Sequence, residues 1–217
     1  MRKIIGIYGA SGFGREVLPL VREQYADAQL CFVDDGSHDN QLNGYPVHTY
    51  QAFLDLPQTD KSVVLAIANS QIRETLAAKC QQDGLAIVSV KASNSIVLDQ
   101  VEIAEGSVLC HFTQLTSNIK IGKQFHANIY SYVAHDCVIG DYVTFAPKVQ
   151  CNGNVHIEDH AYIGTGAIIK QGTPARPLVI GKGAIVGMGA VVTKSVAPGV
   201  TVIGNPARPL TKEGLRK

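Results

Sequence analysis

An apolar residue recurs at every sixth position through the C-terminal half of this chain, at Val97, Ile103, Leu109, Leu115, Ile121, Ala127, Val133, Ile139, Phe145, Cys151, Ile157, Ile163 and Ile169. The register breaks at Gln171–Pro177 and resumes at Ile180, Val186 and Val192. A second small or β-branched residue often falls four positions later, as at Val101, Ser107, Thr113, Ser131, Val143, Val155, Ala161 and Ala167. A period of six matches neither a helix face at 3.6 nor a coiled-coil seam at 3.5. It matches short strands joined by tight turns, three strands to a triangular coil, which is the hexapeptide parallel β-helix. At the usual spacing of stacked strands, residues 97–192 predict about five coils and a prism about 25 Å tall.

The segment before the repeat obeys a different pattern. Lys3–Tyr8 reads as a buried strand, Gly9–Gly14 as a glycine-rich turn, and Arg15–Tyr25 as a helix with Pro19 tolerable only near its first turns. Leu30–Val33 is a second strand, ending in Asp34-Asp35, and Ser62–Ile67 a third. Ser70–Gln82 has helical spacing and stops before Gly84, and Ala86–Val90 is a fourth strand. Alternating strands and helices predict a small Rossmann-like α/β domain over residues 1–92, followed by a β-helix domain over 93–217.

The glycine turn has a physical use. Glycines let the backbone approach a diphosphate, and the helix that follows presents free N–H groups and a positive dipole end. Asp34 lies where an acidic side chain meets a ribose hydroxyl in dinucleotide folds. Yet the glycines run G-x-x-G-x-G, not the dinucleotide order, and a tight connection that binds nothing gives the same pattern.

Charge and composition exclude several classes. Lys+Arg 19 against Asp+Glu 18 offers no basic surface for nucleic acid. No stretch approaches the 18 or more apolar residues of a membrane span, and the apolar start meets Gly6, Gly9 and Gly12 too early for a signal peptide. Five cysteines without a CxxC pair point to reduced thiols in a cytoplasmic protein. The lesser histidines (His111, His126, His156 and His160) lack the 18-residue spacing that would stack them into a metal site, so no metal is expected.

His135-Asp136 stands out within the repeat, because an imidazole and a carboxylate fall where packing needs neither. A carboxylate beside an imidazole selects its tautomer and stabilises the imidazolium, which suits a general base. If the segment is extended, the two side chains point to opposite sides, and Asp136 then orients a histidine of a neighbouring subunit. A solvated dipeptide at a turn is the other reading.

The glycine turn Gly9–Gly14, the pair Asp34-Asp35, the hexads, the segment Tyr132–Gly140 and the ending Val202-Ile203-Gly204-Asn205-Pro206-Ala207 together resemble the NeuD/PglD group of sugar acyltransferases. The resemblance implies a left-handed β-helix and a homotrimer with its sites between subunits. It implies acetyl-CoA as acyl donor and a UDP-linked 4-amino-4,6-dideoxy sugar of bacillosamine type as acceptor. By the same resemblance His135 and Asp136 are catalytic, turn backbones stabilise the oxyanion, and Asn128 lies near the sugar. Gly9, Ser11, Gly12, Phe13, Gly14, Asp34 and Asp35 would hold the nucleotide sugar, and Gly153, Gly187 and Gly189 would lie beside acetyl-CoA. Two departures stand out. Thr144 replaces a second histidine that contacts acetyl-CoA in the bacillosamine enzymes, and Gln171–Pro177 is longer than a single turn needs. The insertion reads as a protruding loop, with Arg176 either at a CoA phosphate or in plain solvent.

Two other functions fit the same fold. An O-acetyltransferase of sialic acid or polysaccharide keeps the prism and changes the acceptor. A trimeric scaffold with a ligand-sensing first domain needs no CoA at all.

Overall fold

The computed structural model describes residues 3–211, which form two compact units dividing at Ser93/Asn94. The first unit runs β1 (Ile4–Tyr8), α1 (Gly12–Gln24), β2 (Gln29–Val33), β3 (Gln41–Leu42), β4 (Tyr45–His48), α2 (Tyr50–Leu54), β5 (Lys61–Leu65), α3 (Ser70–Gln82) and β6 (Ala86–Ile87). Its sheet has the order β3-β4-β2-β1-β5-β6, parallel except for the β3–β4 hairpin. Every residue of β1 is buried, as befits the central strand of a sheet covered on both faces.

Four elements differ from the sequence reading. The first helix begins at Gly12 rather than Arg15, which leaves Pro19 well inside it. Proline there removes the bond to the Arg15 carbonyl; burial of Val17, Leu18, Leu20 and Val21 compensates. The short elements β3, β4 and α2 were not foreseen, because two to five residues show no periodicity. By contrast α3 has the expected bounds, with Asn69 accepting the Ile72 N–H at its start and Gly84 at φ +74° just past its end.

The second unit is the three-faced parallel β-helix expected of the hexads, left-handed as the family resemblance implies. One face stacks Val108–Leu109, His126–Ala127, Thr144–Phe145, Tyr162–Ile163, Ile185–Val186 and Thr201–Ile203. A second face stacks Ile96–Val97, Gln114–Leu115, Tyr132–Val133, Gln150–Cys151, Ile168–Ile169 and Val191–Val192. The third runs from Val101–Ile103 through Ile119–Ile121, Val138–Ile139 and Val155–Ile157 to Leu178–Ile180. Pairing joins residues 18 apart, such as Val108 to His126 and Gln114 to Tyr132. The spacing widens to 23 across the insertion, where Val155 meets Leu178. Six strands on the second face make the prism one coil longer than expected.

The hexad residues point inward and are buried from Leu109 to Val192; only Val97 and Ile103, in the first coil, keep some exposure. Each coil turns its corners at residues of positive φ: Gln100, Gly106, Phe112, Asn118, Gln124, Tyr130, Asp136, Tyr142, Lys148, Asn154, His160 and Gly166, again six apart. Most are not glycine. Backbone bonds between coils, such as Asp136 N–H to Ser117 O and Asn154 N–H to His135 O, hold these residues in the left-handed region. None of the five cysteines forms a disulfide and all five are buried, and among the described residues no helix is long and apolar enough to cross a membrane.

Candidate active site

The corner between the second and third faces carries His135. Its column of left-handed residues is Gln100, Asn118, Asp136 and Asn154, each 18 residues beyond the last. Asparagine and aspartate adopt this conformation more readily than most residues, so Asp136 satisfies the turn as well as any chemistry. The turn also changes the direction of its side chain. At φ +57° Asp136 is not extended, and its Oδ2 meets the Nδ1 of its own His135 at 2.7 Å. The extended-strand reading, in which Asp136 serves a neighbouring subunit, is thereby corrected. Asn118, one coil below, donates from Nδ2 to Asp136 Oδ1 at 3.3 Å. These bonds, that of His135 foremost, hold the Asp136 carboxyl below its usual range. Both members of the pair are about half exposed, at 48% and 46%.

Gly153 lies one coil above His135, and its position explains its identity. A Cβ there would stand 2.5 Å from His135 Cε1 and 2.6 Å from Nε2. The ring therefore rests over bare backbone. Beneath it, inside the prism, the Cys137 thiol donates to the carbonyls of Asn152 at 3.2 Å and His135 at 3.6 Å. Asn152 is anchored in turn, accepting Tyr132 Oη–H at 2.7 Å and donating to Ile169 O at 2.8 Å. The insertion leaves from the same corner, since Gly172 N–H bonds Gly153 O and Leu178 N–H bonds Asn154 O.

The other prism residues singled out in the sequence lie elsewhere in the chain. Asn128, Gly187 and Gly189 occupy the corner between the first and second faces, where Asn128 Nδ2 donates to Phe145 O at 2.8 Å and Gly189 sits at φ +66°. Thr144 is a strand residue of the first face and only 4% exposed. One chain therefore assembles His135, Asp136 and Gly153 but does not bring Asn128, Thr144, Gly187 or Gly189 to them. Asn118 was missed. Its signal was the 18-residue step below Asp136, visible once the coil length is known.

In the first unit β2 and β5 flank β1 on opposite sides, which makes the end of β1 a topological switch point, the usual ligand crevice of open α/β sheets. The glycine turn lies there. Gly9 has φ +117°, and a Cβ on Gly14 would collide with the Gly9 carbonyl, so both glycines are required by the turn. Ser11 is the N-cap of α1, and Gly12 and Phe13 open its first turn. Asp34 holds the turn, accepting Ala10 N–H at 2.8 Å and Gly36 N–H at 2.9 Å. Asp35 accepts Tyr8 Oη–H at 3.1 Å and Tyr50 N–H at 2.7 Å. Burial and the adjacent Asp35 raise the Tyr8 phenol above its ordinary range, keeping it a donor. The carboxylates thus shape the crevice edge.

Known proteins carry these same two units. Residues 4–80 match the family model of the PglD N-terminal domain. A GDP-perosamine N-acetyltransferase from Escherichia coli O157:H7 is 50% identical over 214 residues, covering 96% of this chain and 97% of its own length. Among solved structures, WeeI from Acinetobacter baumannii AYE superposes with a TM-score of 0.95 at 66% identity, covering 96% of this chain and 100% of that one. The acetyltransferase domain of PglB from Neisseria gonorrhoeae FA1090, in complex with acetyl coenzyme A, gives a TM-score of 0.88 at 26% identity over 97% of this chain and 100% of that one. A PglD-type first unit, a hexapeptide prism and end-to-end likeness to a sugar N-acetyltransferase have one common explanation: the chain belongs to the NeuD/PglD-like family of sugar acyltransferases.

Proposed function

We propose that this enzyme transfers the acetyl group of acetyl-CoA to the amine of a nucleotide-linked 4-amino-4,6-dideoxy sugar, with His135 as general base. The bonded His135–Asp136 pair carries this reading. With Nδ1–H donated to the carboxylate, Nε2 holds the lone pair that accepts the proton of the attacking amine. The new N–C bond forms a tetrahedral centre at the thioester carbon. Its collapse breaks the C–S bond, and the proton held on Nε2 passes to the departing thiolate.

The likeness to acetyl-CoA-bound PglB supports the donor. The switch-point crevice, with Gly9, Ser11, Gly12, Phe13 and Gly14 at a helix N-terminus and Asp34 and Asp35 at its edge, suits the nucleotide. Asn128, Gly187 and Gly189 complete the prism site from a second copy in a homotrimer, because one chain keeps them on a different corner from His135. A cytoplasmic setting, where acetyl-CoA and nucleotide sugars occur, agrees with five cysteines that form no disulfide.

The acceptor has two readings. The resemblance to the bacillosamine enzymes favours a UDP-linked sugar; 50% identity to a GDP-perosamine N-acetyltransferase favours a GDP-linked one. Incubating the enzyme with acetyl-CoA and UDP-, GDP- or dTDP-linked 4-amino-4,6-dideoxy sugars, read by mass spectrometry, decides between them. A gain of one acetyl group is expected on one of the three. No gain on any, with acetylation of free sialic acid instead, would overturn N-acetylation.

Gly153 gives a sharper test of the base. Gly153→Ala is expected to lower kcat about 10²-fold, because a misplacement near 1 Å costs that much. Thermal stability should change little, since the half-exposed His135 ring can swing away from the new methyl group. An unchanged kcat would show that the ring position over Gly153 is not the active one.

A further inference from the structure

Two sulfurs interrupt two aliphatic columns under the His135 corner. Among the inward residues of the second face, Cys151 shares its column with Val97, Leu115, Val133, Ile169 and Val192. Where the third face begins, Cys137 shares its column with Val101, Ile119, Val155 and Leu178. Both cysteines are fully buried, and packing alone asks there for the aliphatic side chains found in the coils above and below. A thiol differs from those side chains in one respect that matters here: it can both give and take a hydrogen bond.

Cys137 uses both capacities. At other corners of the prism, turns close with a backbone bond across three residues, such as Ser131 N–H to Asn128 O and Ala161 N–H to Glu158 O. The turn Asn152–Val155 shows no bond of this kind. Instead the Cys137 sulfur takes up its two ends: the thiol donates to Asn152 O at 3.2 Å, and the Val155 N–H donates to the sulfur. The same thiol reaches His135 O at 3.6 Å, so one atom ties the segment carrying His135 to the turn above it. Bonds received from the Cys151 thiol, and from the Val155 and Asn154 N–H groups, hold the Cys137 thiol below its ordinary range. Within that turn lies Gly153, over which the His135 ring rests. We propose that Cys137 is a positioning residue for the base, its thiol fixing the height of the Gly153 backbone and with it the place of the His135 ring. The inference rests on His135 acting as the base, as proposed above.

The test is a set of steady-state kinetics with thermal unfolding alongside. Cys137→Val restores the aliphatic column and removes the bonds of the sulfur. It is expected to lower kcat about tenfold, since a shift of a few tenths of an ångström is a fraction of the 1 Å that costs about 10²-fold. The KM values for both substrates should stay near wild type, because a misplaced ring acts on the bond-forming step. Cys137→Ala should show the same pattern. Cys137→Ser, whose hydroxyl gives and takes the same bonds, should recover kcat to within about threefold of wild type. In a His135→Ala background the valine substitution should cost nothing further, since a positioning residue acts only through the group it positions. A wild-type kcat in both the valine and alanine variants overturns the inference. So does a serine variant no better than valine, or an undiminished loss in the His135→Ala background, either of which would report general damage to the corner. His135→Ala alone separates the two levels: near-wild-type turnover there sinks the general-base reading itself, whereas a large loss there beside an unaffected Cys137→Val sinks only the positioning role.

Discussion

Replacing His135 by alanine is expected to lower kcat by about 10²–10⁴-fold, the usual worth of a positioned general base, with the fold intact. The side chain is half exposed and lies on a corner, so its removal opens no cavity in the prism. Loss should fall on kcat more than on KM, because in the proposed mechanism Nε2 takes the proton released as the bond forms. Asp136→Asn is expected to follow it in direction. An amide can present its N–H to Nδ1, which moves the ring proton to Nε2 and removes the acceptor. The pH profile adds a check with a definite sign. Asp136 is held below the ordinary carboxylate range by His135 and Asn118, so it remains charged as the pH falls. Asn118→Ala removes one of the bonds that favour the charged carboxylate, so the Asp136 carboxyl should move up towards its ordinary range, as followed by NMR titration of that side chain. If His135→Ala turned over within about threefold of wild type, general-base catalysis by this residue would be excluded.

Phe145→Ala is the largest stability change expected, about 3–5 kcal/mol. Phe145 is fully buried inside the prism and meets Phe125 edge to face, with ring centroids 5.2 Å apart at 81°. Its coil neighbours along the face are Ala127 and Ile163, held in register by backbone bonds to the strands on either side. That ladder keeps the coils from closing on the void, so the cavity persists and its cost is retained. Phe112 offers the contrast: it stacks on Tyr130 at 4.8 Å but is about half exposed on a corner, and its removal should cost far less. Urea denaturation followed by circular dichroism measures both. A loss below about 1 kcal/mol for Phe145→Ala would mean that the prism relaxes around its interior.

Much of this protein was legible in order. The hexads named the interior residues almost one by one, since each inward side chain must be apolar and each coil repeats its constraint. The helix at residues 70–82 was equally plain, from its helical spacing and the glycine just past its end. The β3–β4 hairpin was not, because its pairing depends on strand β2, distant in sequence, and not on its own pattern. The early start of the first helix was hidden for a related reason. Burial of Val17, Leu18, Leu20 and Val21 outweighs the hydrogen bond lost at Pro19.

The His135 corner divides along the same line. The chain alone marked His135 and Asp136 as out of place in a packed repeat, and marked Gln171–Pro177 as an interruption. It could not join them. Adjacent residues look opposed if the backbone is extended, and only the left-handed φ of Asp136 turns its carboxylate onto His135. Residues 118, 135, 153 and 172 are far apart in sequence, yet one coil of about 18 residues stacks them on a single corner. Local side-chain periodicity thus determined the prism, because it is repeated in every strand. The site was decided by how the coils stack, because a contact between residues 18 apart exists only once the turns between them are closed.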